Sequence, residues 1–153
     1  MKDGKPSGHG ECVYPNGDKY DGEFVNGLRQ GKGTYIWASG QRYDGEFAND
    51  IINGKGVIVF ANGDRYDGEW VNGKQQGKFV ITYANGDRYD GEYVNNVRQS
   101  KGTYIWVSGG RYDGEWLNDK QHGKGVLTKP NGKKIKGEWV NDELVDKKTL
   151  NRD

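Results

Sequence analysis

The stretch Tyr66-Asp67-Gly68-Glu69-Trp70-Val71-Asn72-Gly73-Lys74 decides the fold. Tyrosine, glycine and tryptophan alternate with aspartate and glutamate, the period-two signature of a strand with two unlike faces. Asn72-Gly73 then ends the strand on two residues that accept positive φ, which is hairpin chemistry. Working outward, the same phrase recurs from Tyr20, Tyr43, Tyr89 and Tyr112, and in worn form as Ile135-Lys136-Gly137-Glu138-Trp139. The period is 23 residues and no insertion breaks it. A strict period of this length means that one unit cannot bury its own apolar face and must stack on its neighbours. Function is therefore expected on an extended surface, not in a closed pocket.

Composition narrows the class. Apolar residues make up only 32% of the 153, which argues against a thick globular core. The 26 glycines would suggest low complexity, but they fall at fixed repeat positions. Basic and acidic residues nearly cancel, 23 against 22, so no bulk attraction to nucleic acid or anionic lipid is expected. Cys12 alone cannot form an internal disulfide. No apolar run reaches the roughly 20 residues that span a bilayer, and none follows the N-terminal charges as a secretion signal would. A cytoplasmic chain is expected, with a cytoskeletal or membrane-associated address as the variant.

Numbering each repeat from its tyrosine, positions 1–6 and 13–18 read as strands. Asn at position 7 and Asn-Gly or Ser-Gly at positions 20–21 punctuate them, as in Asn26-Gly27 and Asn16-Gly17. The predicted fold is all-β: an elongated, twisted single-layer antiparallel sheet, a meander of stacked hairpins with roughly 12 strands. The array covers 4–144, with a half repeat at 4–19, full repeats at 20–42, 43–65, 66–88, 89–111 and 112–134, and a half repeat at 135–141. The charged tail 142–153 reads as a cap or frayed end.

The expected register sets position 1 opposite 18, 3 opposite 16 and 5 opposite 14, so that rings lie over glycine. One face then becomes an aromatic-on-glycine groove. Its rings are Tyr20, Phe24, Trp37, Tyr43, Phe47, Phe60, Tyr66, Trp70, Tyr83, Tyr89, Tyr93, Trp106, Tyr112, Trp116 and Trp139. Its glycines are Gly22, Gly33, Gly45, Gly56, Gly68, Gly91, Gly102, Gly114 and Gly125. Phe79 breaks the glycine row at position 14 and is expected to crowd Trp70 and Tyr93, and either to bend the sheet locally or to push one of them outward. The opposite face carries Asp at position 2, Glu at 4, Lys at 13 and Arg or Lys at 23, placing Arg42 and Asp44 on one face. Exposed pairs of this kind are worth roughly 0–1 kcal/mol, so their role is solubility and register.

The run Tyr-Asp-Gly-Glu-Trp-x-Asn-Gly-x-x-Gln-Gly-Lys resembles the MORN repeat (membrane occupation and recognition nexus). His122, in Gln121-His122-Gly123-Lys124-Gly125, matches a histidine often found before the second glycine pair; other repeats place Gln30, Asn53, Gln76 or Gln99 there. Asn96 and Ser100 replace glycines, so the fourth full repeat departs most from the pattern. The resemblance implies arrays that scaffold other proteins, self-associate, or sit beside a separate enzyme domain.

Catalytic readings find little support. His9, His122 and Cys12 lack metal-ligand spacing, so no metal is expected. Carboxylates that recur in every repeat are structural more often than paired catalysts, and no serine triad can be assembled. Stacked nucleic-acid bases would need a cationic track that the alternating charges deny. Exposed rings rimmed by polar groups instead mark a partner site. The chain reads as a non-enzymatic protein-interaction scaffold without a cofactor, receiving a partner helix or extended segment in the groove. A homodimer through a terminal repeat is expected, because terminal strands offer unpaired edges. The alternatives are a peripheral phosphoinositide-binding module with weak anionic-lipid contact, and a regulatory array acting with a separate lipid kinase or lysine methyltransferase.

Overall fold

The computed structural model describes residues 7–148, with side chains as far as 145. Among the described residues, thirteen antiparallel strands follow one another in chain order in a single open sheet, with no helix. The strands are β1 (Gly8–Val13), β2 (Lys19–Val25), β3 (Leu28–Ile36), β4 (Arg42–Ala48), β5 (Ile51–Val59), β6 (Arg65–Val71) and β7 (Lys74–Thr82). They continue with β8 (Arg88–Val94), β9 (Val97–Ile105), β10 (Arg111–Leu117), β11 (Lys120–Thr128), β12 (Lys134–Val140) and β13 (Glu143–Lys148). Part of the charged tail is thus a strand paired with β12, while 149–153 lie outside the described residues, as does the start of the first half repeat. The chain divides into two compact units, Met1–Lys74 and Gln75–Asp153.

Two kinds of turn set the architecture. At positions 7 and 8 both residues are left-handed: Asn26 has φ 51 and Gly27 φ 81, Asn118 has φ 49 and Asp119 φ 70. This is the two-residue type I′ turn, whose twist matches that of its strands. The other turn is a three-residue loop closed by a left-handed glycine. Gly40, φ 97, donates its N–H to the Trp37 carbonyl at 2.9 Å, and the Trp37 N–H meets the Gln41 carbonyl at 2.9 Å.

That loop corrects the expected register. Position 18 is spent in the turn opposite position 22. Tyr43 therefore faces Tyr35, Gly45 faces Gly33 and Phe47 faces Gly31, so position 1 pairs with 16, 3 with 14 and 5 with 12. The slip is two residues. Side chains alternate with a period of two, so a two-residue slip changes every pair and leaves both faces intact.

On its other side each tyrosine strand is bulged. Gly22 pairs with Gly33, but Phe24 pairs with Arg29, so Glu23 stands against three residues. Gly31 turns the chain there at φ 75, and Ser100 takes the same place at φ 62. The position-4 glutamate satisfies the donor that the bulge frees: Glu46 accepts the Lys55 N–H and Glu115 the Lys124 N–H, each at 2.7 Å. The glutamate row is therefore part of the backbone hydrogen-bonding scheme.

In the first unit the core consists of Tyr20, Phe24, Tyr43, Phe47, Ile58 and Trp70. Tyr20 packs edge-on against Phe24 and Phe47, with centroids 5.0 and 5.2 Å apart. The second unit repeats this with Tyr89 against Tyr93 and Trp116, and Tyr112 against Trp116 and Trp139. Such edge-to-face pairs add about 0.5–1.5 kcal/mol each beyond area burial. The paired glycines at positions 3 and 14 make room for the tyrosine of their own hairpin: a Cβ at Gly33 or Gly56 would lie within 3.0 Å of the ring of Tyr20 or Tyr43. Phe79 is buried, edge-on to Tyr93 at 5.5 Å. Trp70 and Tyr93 are also buried, so neither is pushed outward as the sequence reading expected.

Candidate functional site

Burial sorts the expected groove rings into rows. Among position-1 and position-5 rings only Tyr66 is half-buried, edge-on to Phe60 at 4.9 Å; the others are closed into the sheet's core. The tyrosine hydroxyls point inward too, Tyr20 donating to the Glu23 carbonyl and Tyr43 to that of Glu46, each at 2.8 Å. Burial pushes Tyr43 and Tyr112 up to about 12. The position-18 rings are different. Tyr14, Trp37, Phe60, Tyr83 and Trp106 are all half-buried, because the turn holds them at the margin of the aromatic face. Trp70 and Trp116 donate their indole N–H to the Gly56 and Gly102 carbonyls at 3.0 and 3.1 Å; Trp37 and Trp106 have no such bond.

Two places on this face are built around an arginine at position 10. In the first unit Arg29 lies 4.9 Å from the Tyr35 centroid and 5.7 Å from those of Tyr14 and Phe47. In the second, Arg98 lies 4.8 Å from the Trp116 centroid, 5.5 Å from Tyr89 and 5.9 Å from Tyr104. Each arginine side chain is mostly covered, 19% and 21% exposed, and donates through Nη2 to the carbonyl of Asp50 or Asp119 at 2.9 Å. Rings packed within 6 Å of it and a carbonyl at its edge fix the group on the sheet. Beside it, Tyr35 packs on Trp37 at 4.7 Å and near-parallel to Tyr14 at 5.9 Å.

A buried aspartate pins the tyrosine of each cluster. Asp18 accepts the Tyr35 hydroxyl at 2.6 Å and the Ala38 N–H at 2.8 Å. Asp87 accepts the Tyr104 hydroxyl and the Val107 N–H, both at 2.8 Å. The Tyr35 hydroxyl, then the Ala38 N–H, hold the Asp18 carboxyl below its usual range; for Asp87 the Val107 N–H leads. Burial, joined by the bond to Asp18, pushes Tyr35 up to about 12, and Tyr104 is raised for the same reasons.

In the second unit the face opens into a cleft of about 770 Å³. Arg98, Tyr104, Trp106, Trp116, Asp119, Gln121, Trp139 and Asp142 are among its lining residues. Of the residues of this cleft, Trp106, Trp116 and Trp139 are among the expected groove rings; Tyr104 is not, and Arg98 and Asp119 were missed because charges were assigned to the other face. A signal was present. Residues 28–50 and 97–119 differ only at Leu28/Val97, Gly31/Ser100, Ala38/Val107, Gln41/Gly110, Phe47/Trp116 and Ala48/Leu117. The array thus carries a longer period of three repeats, in which Arg at 10, Tyr at 16 and Trp at 18 recur together.

The opposite face is a charge lattice. Arg42 grips Asp44 with bonds of 2.7 and 3.1 Å, and Arg111 grips Asp113 with bonds of 2.6 and 2.9 Å, as the spacing predicted for the first pair. His9 Nε2 lies 2.7 Å from Asp21. Among the described residues no group of three or more His, Cys, Asp or Glu is arranged to hold a metal.

The family model described as MORN repeat matches residues 1–19, 20–42, 43–65, 66–88, 89–111 and 112–134. No curated protein matches the chain. Among solved structures, the chain is similar to the one titled "SAS-4 (dCPAP) TCP domain in complex with a Proline Rich Motif of Ana2 (dSTIL) of Drosophila Melanogaster". The TM-score is 0.54 at 17% identity, covering 86% of this chain and 72% of that one. At that identity the likeness is one of fold: an open run of hairpins.

Proposed function

The chain belongs to the MORN-repeat family, and from that premise we propose a non-catalytic interaction module whose aromatic face receives an extended, proline-rich segment of a partner protein. One observation carries this reading: the half-buried rings of the position-18 row recur once per hairpin. Two strand spacings of about 4.8 Å separate successive rings by roughly 9.6 Å. A polyproline II helix completes three residues in about 9.3 Å. A proline-rich chain laid across the strands would set one turn per hairpin, with prolines against Tyr14, Trp37 and Phe60 in the first unit or Tyr83 and Trp106 in the second. Such segments dock on ridged aromatic surfaces because they are already extended and lose little entropy. The Drosophila protein of similar fold is in complex with a proline-rich motif, which supports the same chemistry here.

The membrane reading is less well supported. Arg42 and Arg111 are engaged by Asp44 and Asp113, and the position-13 lysines alternate with the position-4 glutamates, so on this face of the full repeats most basic groups stand beside a carboxylate. Three titrations followed by tryptophan fluorescence separate the readings: a nine-residue polyproline peptide, an amphipathic Leu/Lys helical peptide, and phosphatidylserine-containing vesicles. Saturable change with the first alone is expected. Saturation by the helix or the vesicles, with none by polyproline, would overturn the proposal.

A further inference from the structure

The two arginine-centred clusters are the same site built twice, one in each compact unit. Arg29, Tyr35, Trp37 and Asp50 have their counterparts in Arg98, Tyr104, Trp106 and Asp119, and in both the aspartate carbonyl accepts from Nη2 and its Oδ1 from the arginine N–H. The intervening repeats lack the set: position 10 is Ile52 or Gln75 and position 16 is Ile58 or Ile81. A cluster needed only to hold the sheet would be expected in every repeat, because every repeat makes the same sheet.

The charges specify the ligand further. Each cluster holds one guanidinium and two carboxylates: Arg29 with Asp18 and Asp50, Arg98 with Asp87 and Asp119. Asp18 and Asp87 are buried and fully used by tyrosine and backbone donors. Asp50 and Asp119 are not. Each spends Oδ1 on the arginine of its own cluster, while Oδ2 has no hydrogen-bond partner and the side chain is 43% or 46% exposed. A carboxylate oxygen thus stands free at the rim of a ring-lined surface whose balance is negative. That suits a cation carried by the ligand.

Resting on the proline-rich reading above, we infer that the chain is bivalent. Each unit binds one proline-rich segment that carries a basic residue, with prolines on the Tyr–Trp pair and the basic side chain on Oδ2 of Asp50 or Asp119. The partner would supply two such segments, or two partner chains would each supply one.

Isothermal titration with the capped peptide Ac-Pro-Pro-Leu-Pro-Pro-Arg-Pro-Pro-NH2 tests this on the full chain. Two peptides per chain are expected. Trp37→Ala and Trp106→Ala should each reduce this to one, and the double variant should bind at least about tenfold more weakly. Both indoles are half-exposed, and melting curves check that each variant stays folded. Asp50→Asn with Asp119→Asn should cost about threefold to fivefold for this peptide and nothing for one with glutamine in place of arginine. Asparagine keeps the turn intact, since Asn96 already caps the equivalent Gln75 N–H. Binding of one peptide, abolished by one tryptophan change alone, would overturn bivalence and leave the proline-rich reading standing. Equal loss with both peptides in the asparagine variant would overturn the basic-residue assignment. No binding of either peptide would overturn both readings.

Discussion

Positions 1 and 18 carry aromatic residues in nearly every repeat and lie on the same face, yet they do different things. Tyr43, at position 1, lies inside a strand, over a pair of facing glycines, with its hydroxyl bonded to the Glu46 carbonyl. Trp37, at position 18, is the first residue of a turn, half-exposed and without a partner for its indole N–H. A ring's role here follows from whether its neighbours are bare backbone or solvent. A single-layer sheet makes its own core from one row and presents the next.

If that division holds, truncation should separate the rows. Tyr43→Ala and Phe79→Gly remove fully buried rings and should each cost about 3–5 kcal/mol in urea unfolding. A loss under 1 kcal/mol for either would break the comparison. Gly45→Ala tests the space beneath the tyrosine. Its Cβ would lie 2.5 Å from the Gly56 Cα, where backbone and not a flexible side chain must move, so a loss of about 1–3 kcal/mol or more is expected. Glu46→Ala frees the Lys55 N–H at the bulge and should cost about 1–2 kcal/mol. Trp106→Ala belongs to the exposed row and should cost less than about 1 kcal/mol while weakening peptide binding.

Titration sharpens the same contrast. Asp18 and Asp87 have folded-state values below their ordinary 3.8, so their contribution is present above that value and is lost as pH falls through the lower one. The Asp18→Asn, Asp87→Asn double variant should therefore lose less stability between pH 5 and pH 2, roughly, than the parent. The buried tyrosines act at the other limit. Tyr43 and Tyr112, raised from 10.0 to about 12, keep their full contribution below the lower value and lose it as pH climbs through the upper. Absorbance at 295 nm should show them ionising after any exposed tyrosine.

The hairpins and the two faces were legible in the sequence, because period-two alternation and Asn-Gly punctuation are local signals; Tyr14, Tyr35 and Tyr104, which build the clusters, were not among the expected groove rings. The register was misread by two residues. The Asn16-Gly17 type of turn closes over three residues with glycine left-handed, which takes Tyr14 and Trp37 out of the strands. Reading that loop length first would have paired Tyr43 with Tyr35. The arginines were missed for another reason. Arg29 and Arg98 occur at a position filled elsewhere by Ile52, Gln75 or Gln121, so a comparison of repeats one by one averages them away. The bulge was not visible either: Glu23 and Gly31 look like parts of two separate ladders until backbone pairing sets the one against the other.

The half-exposed ring row, and not the buried one, is proposed to meet the partner. Indole N–H resonances of the 15N-labelled chain test it most directly, since each tryptophan gives one signal. On titration with the arginine-bearing proline peptide, Trp37 and Trp106 should shift, and before titration they should exchange with solvent fastest. Trp70 should stay fixed, its N–H held by the Gly56 carbonyl. A titration that moved Trp70 and left Trp37 and Trp106 unchanged would show that the partner does not meet the position-18 row.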